Sequence, residues 1–189
     1  MQDRDDSFKW DELSRQKLAS CSLFDMFSSE RVSARGKTGR FCILTAHDWV
    51  NIVPVLEGPG GDVFLMVRQW RHGAALITTE FPAGLVEAGE DPAHAAVREL
   101  EEETGYRAGK LTPLARVSPN PAFMTNWCST FLAEDLTRAG DQALDDLEDL
   151  DVLQVSAADL GRRIGDGELV NSLSVVAFFL YQRHRAERA

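Results

Sequence analysis

Residues Gly84–Tyr106 read GLVEAGEDPAHAAVRELEEETGY. Physically the stretch is a loop followed by one helix. Asp91 is a good N-cap, Pro92 suits a first helical position where its missing N–H would go unpaired anyway, and Gly105 can adopt the left-handed conformation that ends a helix. These signals predict a helix from Pro92 to Thr104. At the helical repeat, Ala93, Ala96, Val97 and Leu100 form an apolar stripe. Glu99, Glu102 and Glu103 gather on another face, where residues three and four apart are neighbours.

Like charges at that spacing oppose each other by about 0.2–0.5 kcal/mol per pair even on an exposed helix. A solvated acidic surface is the plain reading of such a run. The caps at both ends and the loop before the helix point instead to carboxylates fixed in space. Such a cluster suits a hard divalent cation, and Mg²⁺ takes a few carboxylates while keeping water and substrate phosphate oxygens. Arg98, beside the cluster, can pair with Glu90 or with a neighbouring glutamate and hold the array in register. Its plain reading is a surface ion pair of little worth.

Gly84, Glu90, Arg98, Glu99, Glu102, Glu103 and Gly105, with Leu100 and Tyr106 apolar between and after them, fall at the spacing of the Nudix signature, which this sequence resembles. With each of those residue types near 6–7% of ordinary usage, a chance match is on the order of 10⁻⁹ per starting position. Coincidence is thereby set aside for a chain of 189 residues. The resemblance implies the α/β/α sandwich with a mixed sheet and the cleavage, with divalent cations, of a nucleoside diphosphate linked to another group. It implies Glu99 and Glu103 as principal metal ligands and Glu102 as a third ligand or hydrogen-bonding neighbour. The Ala83 carbonyl would be a further metal contact, and Glu90 would orient Arg98. Mg²⁺ is the expected cofactor, with Mn²⁺ as a substitute.

Outward from the signature, composition sets bounds. An apolar content of 44% supplies a core, and a net charge of −10 argues against a nucleic-acid surface. Metal ions can still reconcile an acidic site with a phosphate substrate. No secretory segment or bilayer-spanning run stands out, so a cytoplasmic protein is expected. Cys21, Cys42 and Cys128 read as free, mostly buried thiols.

Apolar runs at Leu23–Phe27, Arg31–Ser33 and Phe41–Ala46, with a turn at Lys37-Thr38-Gly39, predict a small antiparallel sheet over residues 1–48. Phe8, Trp10 and Leu13 are possible anchors before it. The main domain, 49–189, opens with strands at Trp49–Leu56 and Val63–Trp70 joined by Gly58-Pro59-Gly60-Gly61. A strand-like piece, Glu80–Ala83, leads into the signature. Strands follow at Leu111–Ser118, Trp127–Ala133 and Val152–Val155, with an acidic loop at Ala139–Asp151. Ser156 caps a helix ended by Gly165. Ser172 caps the last one, whose core stripe reads Val175, Val176, Phe179, Leu180. Strands and helices mix without regular alternation, which is α/β with a mixed sheet.

Val67-Arg68-Gln69-Trp70-Arg71 followed by Glu80-Phe81-Pro82-Ala83-Gly84 resembles the pattern of ADP-ribose and nucleoside diphosphate sugar pyrophosphatases, with Trp70 in place of the usual Tyr. Pro121, within Ser118-Pro119-Asn120-Pro121, lies where those enzymes carry a proline. The resemblance implies hydrolysis of ADP-ribose to AMP and ribose 5-phosphate, with GDP-mannose or another nucleotide sugar as the alternative. A nucleoside triphosphate hydrolase and a non-catalytic nucleotide-sugar regulator are the remaining readings. Arg71 would contact a phosphate or the base, and Glu80 a ribose or a partner subunit. Trp49 could stack on a base, though a tryptophan in a strand is more often core. The general base is expected in the acidic loop, Glu148 before Asp146, with Glu102 as the alternative. Such relatives exchange the N-terminal sheet across a two-fold axis, so a homodimer is expected.

Overall fold

The computed structural model describes residues 6–58, 60–164, 167 and 169–188. The chain divides into two compact units, one of residues up to 47 with Ser118–Trp127, the other of Asp48–Val117 and the residues from Cys128 onward. In the first unit a 3-10 turn, Asp6–Phe8, precedes β1 (Trp10–Ser20), β2 (Phe24–Ser33) and β3 (Thr38–Ala46). These form an antiparallel sheet in that order. Ser118–Trp127 is tied to β3, the Leu44 N–H donating to the Phe123 carbonyl at 2.8 Å and the Thr125 N–H to the Leu44 carbonyl at 3.0 Å.

The small antiparallel sheet matches expectation, but its details differ. The runs at Leu23–Phe27 and Arg31–Ser33 are one strand, because Ser28, Ser29 and Glu30 continue the ladder opposite Cys42, Phe41 and Arg40. The β2–β3 hairpin turns at 34–36, where Gly36 takes φ 79°. Gly39 lies inside the ladder opposite Arg31. β1 was not expected at all: ten of its eleven residues are exposed. A strand without a buried face shows no two-residue hydrophobic period.

The second unit runs β4 (Trp49–Gly58), β5 (Gly61–Arg71), β6 (Leu76–Glu80), β7 (Ala83–Leu85), α1 (Pro92–Thr104), β8 (Tyr106–Val117), β9 (Cys128–Arg138), β10 (Leu150–Ser156), α2 (Ala157–Arg163) and α3 (Ser172–Ala186). Its sheet is ordered β10-β5-β4-β9-β8, with β6 on β5 and β7 on β4. β4 and β9 are parallel and the other pairs antiparallel, so the sheet is mixed. Val50 and Ile52 of β4 pack with Ala95, Ala96 and Leu100 of α1. Val53 and Val55, turned to the other face by the strand's alternation, join Phe64, Phe81, Leu160, Ala177, Phe178 and Tyr181. One helix thus covers one face and α2 and α3 the other, which is the expected sandwich. Phe64 anchors the second core with edge-to-face contacts to Phe81, Phe178 and Tyr181. Truncating such a residue to alanine costs about 3–5 kcal/mol. Among the described residues, no helix is long and apolar enough to cross a membrane.

Two helix details differ from expectation. Asn171, not Ser172, caps α3: its Oδ1 accepts the Leu173 and Ser174 N–H groups at 2.9 and 3.1 Å. The core stripe of α3 is rotated, with Ala177, Phe178, Leu180 and Tyr181 buried and Phe179 62% exposed. Ser174 explains the rotation. Its Oγ accepts the Phe81 N–H at 3.1 Å, so the residues three, four and seven beyond it face the sheet. For α2, Ser156 is the cap as expected, and the expected terminator Gly165 lies outside the described residues.

β4 is shared between two neighbours, and this places the signature. Its distal half, Val55–Gly58, pairs with β5, whereas Trp49, Val50 and Asn51 pair with Leu85, Gly84 and Ala83 of β7. Between them the Ile52 N–H donates to the Pro82 carbonyl at 2.9 Å. The chain leaving β6 is thereby delivered to the edge of β4, with Ala83 and Gly84 beneath α1.

Candidate active site

Helix α1 has the ends its sequence dictates. Asp91 Oδ1 accepts the Ala93 N–H at 2.8 Å, and Gly105, at φ 71°, donates its N–H to the Glu101 carbonyl. Its buried residues are Ala95, Ala96, Glu99, Leu100, Glu103 and Thr104. Two carboxylates therefore sit on a buried surface, where an uncompensated charge is costly.

Glu99 lies directly against Gly84. A Cβ at Gly84 would fall 1.9 Å from the Glu99 Cδ, so the glycine is needed for the space it leaves. Burial raises the Glu99 carboxyl above the usual carboxylate range, while the Arg98 guanidinium pulls it back. Glu103 is buried deeper, at 3% exposure, and its Oε2 accepts the Ala83 N–H at 3.1 Å. Burial chiefly, with the nearby Glu99 and Glu148 charges, pushes it up to about 8. Among the described residues no ion pair reaches Glu103.

Arg98 is the hub of the array. Its Nη1 donates to Glu99 Oε1 at 2.9 Å and to Glu102 Oε2 at 3.0 Å. Its Nη2 donates to the Leu85 carbonyl at 3.0 Å, and its Nε and Nη2 reach the two oxygens of Glu90 at 3.2 Å. Both pairings that the sequence left open, with Glu90 and with neighbouring glutamates, are made together. Glu90 is held low by Arg98 and by the Glu87 N–H. It is the far brace of the hub, and Glu102 is half-buried beside it.

The acidic loop is pinned to the end of α1. Gln142 Nε2 donates to the Glu103 carbonyl at 2.7 Å, and the Ala143 N–H to the Glu102 carbonyl at 2.9 Å. Further on, a turn closes between Asp145 and Glu148: the Glu148 N–H donates to the Asp145 carbonyl, and Glu148 Oε2 accepts the Asp145 N–H at 3.2 Å. The exposed Glu148 charge acts on Arg71, Glu99 and Glu103. Arg71 is raised by its hydrogen bonds to Glu80 first, and then by Glu103 and Glu148. Glu80 is not on the surface but 1% exposed, its oxygens taken by Arg71, Thr78 and Asn171. Trp49 begins β4, half-buried, opposite Leu85. Glu99, Glu102, Glu103, Arg98, Arg71, Ala83 and Glu148 thus share one region.

The donor chemistry here fits a divalent cation. Glu99 and Glu103 carry hard carboxylate oxygens, burial favours their protonated form, and a cation beside them would restore their charge. As they stand, no three His, Cys, Asp or Glu side chains among the described residues are disposed to close on one ion. Arg98 occupies an oxygen of Glu99 and of Glu102, and the Ala83 N–H occupies one of Glu103. Sequence reading missed Thr78, Gln142 and Asn171. Only Asn171 carried a signal, as a good N-cap residue ahead of an apolar run.

Residues 46–172 match the family model of the NUDIX domain. An ADP-ribose pyrophosphatase of Bacillus subtilis (strain 168) is 29% identical over 178 residues, spanning 94% of this chain and 95% of its own. A methanol dehydrogenase activator of Bacillus methanolicus is 32% identical over 135 residues, spanning 71% and 73%. A crystal structure of an ADP compounds hydrolase is similar at a TM-score of 0.85 and 25% identity, over 96% of each chain.

Proposed function

The chain belongs to the Nudix family, as a pyrophosphatase, and from that premise we propose that it hydrolyses the pyrophosphate bond of a nucleoside diphosphate sugar with Mg²⁺ as cofactor. ADP-ribose is the proposed first substrate, giving AMP and ribose 5-phosphate. The observation that carries the reading is the burial of Glu99 and Glu103 against Gly84 and Ala83, within the field of Glu148. The printed names of two similar proteins, an ADP-ribose pyrophosphatase and an ADP compounds hydrolase, support the substrate class.

Glu99 and Glu103 would hold the cation, with Glu102 and the Ala83 carbonyl as further contacts; Mn²⁺ has the charge and oxygen preference to substitute. When bound, the cation neutralises diphosphate charge and makes a water acidic enough to attack at neutral pH. Arg98 spaces the glutamates. Arg71 binds a substrate phosphate through the guanidinium edge that Glu80 leaves free, and Trp49 offers a ring face to the base. Glu148 accepts the proton of the attacking water. The water oxygen bonds to phosphorus, the bridging P–O bond breaks, and the bridging oxygen leaves on a phosphate monoester.

A panel of ADP-ribose, GDP-mannose, UDP-glucose, NADH and dGTP with Mg²⁺, followed by release of phosphate with a phosphatase, tests the substrate. ADP-ribose turned over fastest is the expected result. Fastest turnover of GDP-mannose would move the preference to another nucleotide sugar, and turnover confined to dGTP would overturn the class. Two companion proposals are a homodimer that exchanges the β1–β3 sheet and a cytoplasmic location. The first is supported by a sheet with no buried apolar side chain of its own among the described residues, the second by the free thiols, of which Cys21 and Cys42 are exposed, against the expected burial, and Cys128 is buried.

A further inference from the structure

Arg71 and Glu80 form an asymmetric pair. The arginine side chain is 41% exposed and the carboxylate 1%. Glu80 grips Arg71 at two points, accepting from Nε at 2.9 Å and from Nη2 at 2.6 Å. Each carboxylate oxygen takes a second donor. Thr78 Oγ1 donates to Oε1, and Asn171 Nδ2 donates to Oε2 at 2.7 Å. Thr78 belongs to β6 and Asn171 caps α3, so two separate elements fix the plane of one carboxylate. Asn171 has a double duty, because its Oδ1 caps α3 while its amide holds Glu80.

We infer that Asn171 is a positioning residue for substrate binding, fixing through Glu80 the direction in which Arg71 offers its guanidinium to a phosphate. The inference rests on the phosphate-binding reading of Arg71. The terminal torsion of a glutamate is broad, so the carboxylate plane is set by its hydrogen bonds and not by its rotamer. Recognition of a phosphate by arginine is planar and two-pronged, and a tilted fork loses one prong. With the Asn171 amide gone, Oε2 keeps only Arg71, and Glu80 and Arg71 can turn together.

Asn171→Ser tests this, because serine caps a helix about as well as asparagine but is too short to replace the amide donor. Steady-state cleavage of ADP-ribose with Mg²⁺ is measured for the unaltered protein, Asn171→Ser, Arg71→Ala and the double variant. Asn171→Ser is expected to raise KM about tenfold, the worth of one hydrogen bond in a charged network, with much less change in kcat. In the Arg71→Ala background the same change should add less than about twofold, since its route to substrate is gone. A KM rise that persists in that background, or an Asn171→Ser KM within about twofold of normal while Arg71→Ala is impaired, overturns the inference and leaves Arg71's role standing. An unchanged KM in Arg71→Ala, or no cleavage of ADP-ribose, GDP-mannose or UDP-glucose by the unaltered protein, sinks the Arg71 reading and the inference with it.

Discussion

Gly84 and Gly105 flank the same helix and are needed for opposite reasons. At Gly84 an added methyl would meet the Glu99 carboxylate, the free end of a flexible side chain. That side chain can swing away, so Gly84→Ala should leave thermal stability nearly intact and lower turnover by about 100-fold, the order of loss when a proposed metal-holding carboxylate is displaced by an ångström. At Gly105 the obstacle is the Gly140 carbonyl, 2.4 Å from the added atom, and φ is 71°. Gly105→Ala should cost about 1–3 kcal/mol of stability, seen as a lowered melting temperature. Equal stability losses in the two variants would contradict this division. Glu103 adds a pH dependence. Its carboxyl in the metal-free fold is raised to about 8 by burial, far above its unfolded value. The folded state therefore keeps a proton that the unfolded chain releases, and metal-free stability from this group is present at acid pH and lost as pH rises toward 8. A cation bound at Glu103 as proposed would displace that proton, so stabilisation by Mg²⁺ should grow between about pH 6 and 8 and then level off. Melting scans with and without Mg²⁺ across that range check it, and Glu103→Gln should flatten the profile.

Among the elements, α1 was legible from end to end because its caps are written in side-chain chemistry. Asp91, Pro92 and Gly105 say where the helix starts and stops without tertiary help. Which glutamate is buried was not legible, since burial of Glu99 and Glu103 depends on Gly84 and Ala83 arriving from β7. The capping choice between Asn171 and Ser172 was likewise undecidable, as both are good caps and the Glu80 contact selects one. A buried Glu80 could not be expected from sequence, because glutamate is buried only when paired and its partner lies across a hairpin. The acidic loop shows the same limit: its charges are plain, but only the Asp145–Glu148 turn separates one carboxylate from another. Glu148 stays the proposed base ahead of Asp146 because its charge acts on Arg71, Glu99 and Glu103. Glu148→Gln should lower kcat by about 100- to 1,000-fold with Mg²⁺ binding and KM little altered. Asp146→Asn should keep most activity. The ranking is falsified if Asp146→Asn has the larger effect on kcat.

At the level of the whole molecule, the two units have unequal means of support. Every buried apolar residue belongs to the second unit among those described, and it has a core on each face of its sheet. The β1–β3 sheet has no such core, and a three-stranded sheet needs one apolar face covered to be stable. Its edge strand β1 shifts register between Glu12 and Ser14 and again between Lys17 and Ala19. Leu13 and Leu18 occupy those irregular positions, 59% and 52% exposed. Bulges normally blunt an edge strand, yet here each carries a leucine outward. A second copy of the chain is the proposed cover. Sedimentation equilibrium should therefore give twice the chain mass at micromolar concentration. Replacing both Leu13 and Leu18 by lysine should move the equilibrium toward monomer while the second unit keeps its helical signal, because neither leucine belongs to its cores. A chain that sediments as monomer at every concentration would remove the exchanged sheet.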